Sequence, residues 1–242
     1  MADTLVLVHG GSHGAWCWDD VRASPALADV PSVALDLPGC GADGSARADL
    51  HLDDSVASIT RLIDTVPAGE VTLVGHSIGG MVLPAVAAAR PDRVGAVVFV
   101  AAVVLSKGER GIDAIPEDRR ASYYAMAKAS GDNSLLPDFA NAYARFFPSL
   151  SPERAQQVYD RLTPQPFGPY LQPATVGPES LVGDVSYILM ENDRTFPEES
   201  ATTFAAKTRG ELIRLPGDHC VMLTDPHLLA VTLREVLTRN RG

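Results

Sequence analysis

Cysteine is scarce in this chain of 242 residues: Cys17, Cys40 and Cys220 are an odd number, far apart and without a C-x-x-C pair. Their spacing supports neither a disulfide framework nor a zinc site, and reduced thiols are the expected state. Basic charge is scarce too. Twenty Lys and Arg stand against thirty Asp and Glu, a formal net charge of -10. No basic face is therefore available to neutralise phosphates, and no nucleic-acid partner is expected. No apolar stretch approaches the length that crosses a bilayer, so no membrane role is expected either. Met1-Ala2-Asp3-Thr4 lacks the charged region, apolar run and cleavage site of a secretory signal, which points to a cytoplasmic protein. Repeats and low-complexity segments are missing as well.

What is present fits one α/β domain with an insertion, large enough to bury a core without disulfides or structural metal. Hydrophobic residues make up 46% and charged residues 21%, an ordinary globular balance. Six short β-branched runs read as strands: Leu5–Val8, Ser32–Leu35, Val71–Val74, Ala96–Val100, Val185–Met190 and Leu212–Leu215. Several lack polar alternation, as strands of a parallel sheet covered on both faces do. Helices are expected near Trp18–Ala28, Leu52–Val66, Met81–Arg90, Glu198–Lys207 and His227–Thr238, with Pro197 and Asp225-Pro226 at helix starts. The alternation implies a mostly parallel six-stranded sheet with right-handed crossovers. It breaks between Leu105 and Leu181, where the sequence turns amphipathic, helical and aromatic, then closes in the proline-rich Thr163–Pro169. We expect a core built from segments 1–104 and 182–242, with residues 105–181 inserted as a helical cap.

Gly75-His76-Ser77-Ile78-Gly79-Gly80 lies between a strand and a helix, the setting in which G-x-S-x-G is a nucleophile elbow. Such a turn strains the serine backbone and needs small residues two positions away on each side, which Gly75 and Gly79 supply. Ser77 also precedes a helix, whose unpaired N–H groups favour developing negative charge. A serine hydroxyl is a weak nucleophile until a base takes its proton and a carboxylate orients that base. Only His219 and His227 of the six histidines follow Ser77. His219 sits in a short loop after the last strand, at the carboxyl edge where open α/β sheets bind ligands. His227 sits at a helix start and suits a solvated or capping role. Asp193, just beyond Val185–Met190, is the acid that fits the chain order; Glu191 is its closest rival, Asp184 precedes the strand, and Asp218 adjoins His219 too closely.

Two backbone donors would have to converge on the reacting oxyanion. Ile78, after the nucleophile, is one. Gly11, in the loop His9-Gly10-Gly11-Ser12-His13-Gly14 after the first strand, is the other. His9 and His13 are expected to brace that loop by bonding local backbone rather than to act as bases. Gly10 and the cap residues Tyr123, Met126, Phe139, Phe146 and Phe147 are the candidates to line an apolar pocket. Cys220 reads as a small core residue, with a thiol beside the pocket as the alternative.

Taken together, these residues resemble the plant methylesterase and hydroxynitrile lyase branch of the α/β-hydrolase superfamily. The similarity is carried by Val8-His9-Gly10-Gly11-Ser12-His13-Gly14-Ala15-Trp16-Cys17-Trp18, Asp36-Leu37-Pro38-Gly39-Cys40-Gly41, the Gly-His-Ser-Ile-Gly-Gly elbow, Asp193–Glu198 and Gly217-Asp218-His219. The alanine-, arginine- and proline-rich text has a bacterial character. The resemblance implies an α/β-hydrolase fold, a Ser77-Asp193-His219 triad, and no cofactor or metal. Lyases of that branch carry a threonine where Gly10 stands and a lysine where Cys220 stands; both are absent, which favours ester hydrolysis. The expected activity is cleavage of a small, largely apolar carboxylic ester through an acyl-enzyme. A C–C bond lyase (of hydroxynitrile lyase or retro-aldol type) and a thioesterase on the same residues are the alternatives. The expected partner is the small-molecule substrate, and a homo-oligomer is compatible with the sequence.

Overall fold

The β-branched runs become strands because their side chains leave to opposite sides of a sheet and find apolar cover on both. In the computed structural model, which describes residues 4–239, eight strands form: β1 (Thr4–Val8), β2 (Ser32–Leu35), β3 (Val71–His76), β4 (Val94–Val100), β5 (Ser134–Leu135), β6 (Gln165–Pro166), β7 (Asp184–Met190) and β8 (Glu211–Leu215). The tripeptide Met1-Ala2-Asp3, read above for a leader, and residues 240–242 of the expected core lie outside the described residues. Six strands form one sheet in the order β2-β1-β3-β4-β7-β8, while β5 and β6 pair as a small antiparallel ribbon. Every pairing in the large sheet is parallel.

Ten helices surround these strands among the described residues: α1 (Asp19–Arg22), α2 (Leu52–Thr65), α3 (Leu83–Ala89), α4 (Glu117–Ser130), α5 (Phe139–Phe146), α6 (Pro152–Tyr159), α7 (Gly168–Leu171), α8 (Glu198–Thr208), α9 (Val221–Thr224) and α10 (Pro226–Arg239). Val6, Val8, Leu73, Val97 and Phe99 face a core closed by Ile59 and Ile63 of α2, Val86 of α3 and Phe204 of α8. Leu5, Leu7, Val74, Val98 and Ile188 face the opposite core, closed by Val21 of α1 and by Leu229, Leu233 and Val236 of α10. Alternate residues of each strand thus serve alternate cores, and both faces are apolar.

One helix expectation needs correction, and another is refined at its start. Trp18–Ala28 is not one helix but a 3-10 turn over Ala15–Trp18, the four-residue α1, and a second 3-10 turn over Pro25–Leu27. Pro25 has no N–H to continue the ladder, and the Ser24 side chain caps Ala26 instead. The segment after the elbow runs as a 3-10 helix over Ser77–Val82 and turns α-helical only at α3, with Pro84 in its first turn. Asp225 starts α10 as its sequence suggests, accepting a hydrogen bond from the Leu228 N–H at 3.0 Å.

Between β4 and β7 the chain builds α4, the β5–β6 ribbon and α5–α7. The proline-rich connector belongs to this layer: Pro166 ends β6, and Pro169 lies in the first turn of α7. Both are places where proline is tolerated. Gly168 lets α7 approach the backbone before α2, since a Cβ there would run into the Leu50 carbonyl. Gly168→Ala is therefore expected to cost about 2 kcal/mol and lower Tm by roughly 4–8 °C in a thermal melt. An unchanged Tm would show that this layer is not docked through that contact.

Candidate active site

The strand order places the candidate site. From β1 the chain moves outward to β2, crosses back to β3, and then proceeds in the opposite direction. The crevice at the carboxyl ends of β1 and β3 is thus a topological switch point, where α/β sheets bind ligands. The loop Gly10–Gly14 leaves β1 on one side, and Ser77 leaves β3 on the other. Ser77 adopts φ 52°, a left-handed backbone that serine rarely takes. Its neighbours make the turn feasible. A Cβ at Gly75 would sit 2.8 Å from Leu83 of α3, and one at Gly79 would sit 2.6 Å from the His9 carbonyl. The Ser77 carbonyl accepts from the Val103 N–H at 2.9 Å, which ties the elbow to the segment after β4.

The structure brings Ser77, His219 and Asp193 together, from three segments distant in sequence. His219 Nε2 lies 3.0 Å from Ser77 Oγ, and His219 Nδ1 lies 2.8 Å from Asp193 Oδ2. The network assigns the tautomer: Nδ1–H donates to the carboxylate, leaving Nε2 to accept the serine O–H. The second Asp193 oxygen accepts from the backbone N–H groups of Thr195 and Phe196 at 2.6 and 3.1 Å, which fixes the carboxylate in the turn after β7. All three side chains are buried. The rivals lie elsewhere. Asp218 accepts from the Ser149 N–H, Glu191 and Asp184 are exposed, and His227 pairs with Ser24 Oγ at 3.3 Å.

A cavity opens over Ser77 Oγ, with Gly11, Ile78, Tyr123, Met126 and Phe146 in its wall. Three other candidates are not in that wall. Gly10 lies beneath it, where a Cβ would come within 2.5 Å of His76 Nδ1. Phe147 is fully buried against the α10-side core, and Phe139 stacks on Tyr143 and meets Tyr159 edge-on, between β4 and β7 in the chain. Sequence reasoning missed Ile115, Leu135, Tyr170 and Phe196, together with two cations, Arg119 and Arg145. Spacing on α4 offered one signal: Arg119, Tyr123 and Met126 follow one another at helical intervals and so share a face.

The histidines near His219 are held neutral. His9 Nδ1–H donates to the Gly10 carbonyl at 2.7 Å, and its Nε2 accepts from the Leu37 N–H at 3.0 Å. His13 Nδ1–H donates to the Gly11 carbonyl at 2.7 Å, and His76 Nε2–H donates to the His219 carbonyl at 2.9 Å. Burial pushes the His13 imidazole down to about 4 and lowers His9; it lowers His76 further, with help from the adjacent His219. Burial also raises the Cys220 thiol well above its ordinary range. Cys220 lies outside the cavity wall, fully buried. Among the described residues, no His, Cys, Asp and Glu side chains cluster in threes to hold a metal ion.

Two outcomes are expected from this electrostatic arrangement. In the unfolded chain a histidine takes up its proton near 6.5, whereas folded His13 does so at about 4. The unfolded state therefore binds more protons between those values. Its share of stability is complete above about pH 6.5 and is lost as pH falls toward about 4. Urea unfolding across that window should show this slope, and His13→Gln should make it shallower, with His9 and His76 keeping their shares; an identical slope in the variant would remove His13 from the explanation. Iodoacetamide near neutral pH should leave activity intact, because a buried protonated thiol is a poor nucleophile. Inactivation traced to Cys220 would contradict its burial.

Comparison with known proteins places the chain in a family. A sequence model described as "Alpha/beta hydrolase family" matches residues 5–232. The chain is 28% identical over 266 residues to salicylic acid-binding protein 2 of Nicotiana tabacum, covering 96% of each protein. It is 24% identical to putative methylesterase 14, chloroplastic, of Arabidopsis thaliana, covering 96% of this chain and 71% of that one. Among solved structures, an extracellular alpha/beta-hydrolase from a Paenibacillus species superposes with a TM-score of 0.89 at 24% identity, over 98% of both chains. The chain belongs to the alpha/beta hydrolase family.

Proposed function

We propose that this chain is a serine esterase that cleaves a small, largely apolar carboxylic ester through an acyl-enzyme. The observation that carries the reading is the hydrogen-bonded run from Asp193 through His219 to Ser77, at 2.8 and 3.0 Å. In this mechanism His219 Nε2 takes the hydroxyl proton as Ser77 Oγ attacks the ester carbonyl. Asp193 stabilises the resulting imidazolium and holds its orientation. The backbone N–H groups of Gly11 and Ile78 receive the oxyanion, a contribution of about 3 kcal/mol for each donor. His219 then protonates the leaving alcohol, and a water that it activates releases the acid. His9, His13 and His76 stay neutral by burial, so no neighbouring imidazolium opposes the charge that His219 acquires.

Residues 105–181 serve in this reading as the cap that closes the pocket over Ser77. Ile115, Met126, Phe146 and Phe196 give it an apolar wall, and the methylesterase relative supports an ester of a small alcohol. The cyanohydrin form of the lyase alternative is disfavoured, because Gly10 offers no hydroxyl and a Cβ there would run into His76 and Ser77; this does not bear on a retro-aldol reaction. Nothing in the geometry favours a thioester over an oxygen ester.

A fluorophosphonate probe is expected to label Ser77 rapidly, and Ser77→Ala to abolish both labelling and ester turnover. Asp193→Asn and His219→Ala should each lower kcat on the order of 10⁴-fold or more while the fold persists by circular dichroism. A folded wild-type protein left unlabelled by the probe would defeat the proposal.

A further inference from the structure

Arg119 and Arg145 are the two cationic side chains in the wall of a cavity that also carries apolar and neutral polar groups. Arg119 comes from α4 and Arg145 from α5, so two separate elements deliver guanidinium groups to the same space. The chain is acidic as a whole, with a formal net charge of -10. Neither arginine forms a salt bridge among the described residues; other arginines also lack one, but only these two line the cavity.

The bonds these two side chains do make leave donors over. One Arg119 nitrogen, Nη2, donates to the Thr195 carbonyl at 2.7 Å. The Arg145 guanidinium lies 5.2 Å from the centroid of the Phe146 ring, and its Nε is buried without a hydrogen-bond partner among the described residues. A guanidinium carries five donors in a planar fork that matches a carboxylate. The nearby carboxylates do not fill that role. Asp193 is hydrogen-bonded to His219 and to the Thr195 and Phe196 N–H groups, and both it and Asp118 act on Arg119 only by through-space attraction. Burial and the neighbouring Arg145 both lower the Arg119 pKa. Two adjacent cations in a partly desolvated wall repel one another, and an anion bound between them relieves both that repulsion and the unmet donors.

We propose that Arg119 and Arg145 form an anion subsite, and that the preferred ester carries a free carboxylate on the part that does not react. The substrate class is then a half-ester of a short dicarboxylic acid, or an ester whose alcohol portion bears an acid group. This specificity rests on the esterase reading of Ser77, and it corrects a purely apolar substrate to an apolar one with a charged end.

The test compares monomethyl glutarate with its neutral counterpart, methyl glutaramate, and 4-acetoxybenzoate with 4-acetoxybenzamide. The first pair puts the acid on the acyl side and the second on the alcohol side. In at least one pair, kcat/KM for the acid is expected to exceed that for the amide by about tenfold or more. Arg145→Gln should bring that ratio to about one, while Arg145→Lys should keep part of it. Because the ratio does not depend on the folded fraction, Arg119→Gln gives a second reading even if loss of its bond to Thr195 weakens the fold. Ratios near one in the wild type, or a ratio that both glutamine variants leave unchanged, would overturn the subsite while the esterase reading stands. Should the protein hydrolyse no ester and resist the fluorophosphonate, calorimetry with glutarate and glutaramide reads the subsite alone. Binding of the acid over the diamide supports it, and equal or weaker binding of the acid overturns it.

Discussion

The hydrogen-bonded run Asp193–His219–Ser77 makes demands on the whole molecule, because its members come from the ends of three different strands. An imidazole wedged between a hydroxyl and a carboxylate must be aimed at both of its ring nitrogens. The aim is set by backbone: the turn after β7 holds the carboxylate with two N–H groups, and His76 donates to the carbonyl of His219 itself. The elbow adds a cost of its own. A serine at φ 52° carries strain on the order of 1–3 kcal/mol, and the close contacts at Gly75 and Gly79 hold it there.

The inserted layer is coupled to this arrangement through polar bonds as well as apolar cover. Gln165 Oε1 accepts from the Ser12 N–H at 3.3 Å, and the Thr163 N–H donates to the Ser12 carbonyl at 2.9 Å. The loop that carries Gly11 is thereby pinned from above. On the other side, Thr195 is held twice: its carbonyl accepts from Arg119, and its hydroxyl donates to the Arg145 carbonyl at 3.2 Å. The turn that orients His219 and the helices that bear the two cations therefore meet at one residue.

Much of the sheet was legible because burial on both faces writes unbroken β-branched runs, and Val97-Val98-Phe99-Val100 has no other comfortable home. The elbow was legible because its strand–turn–helix setting is local, although only the contact at Gly75 is: Gly75 is crowded by Leu83, whereas Gly79 is crowded by the distant carbonyl of His9. The helix after β1 was misjudged because one residue, Pro25, outweighs a favourable composition. Pocket aromatics were harder to sort. Phe146 and Phe147 are neighbours in sequence, yet one meets the cavity and the other the core; the end of α5 decides between them. The arginines were overlooked because a charged residue on an amphipathic helix ordinarily faces water. His76 was passed over too, though the lack of a side chain at Gly10 is what makes room for its ring.

The most direct measurement is acid-quench mass spectrometry of the protein mixed with 4-nitrophenyl acetate for times shorter than one turnover, followed by peptide mapping. The expected result is a species heavier by one acetyl group, located on Ser77, that rises with the nitrophenolate burst and decays at the steady-state rate. Steady nitrophenolate release with no adduct on Ser77, or an adduct confined to another residue, would contradict the proposed acyl-enzyme.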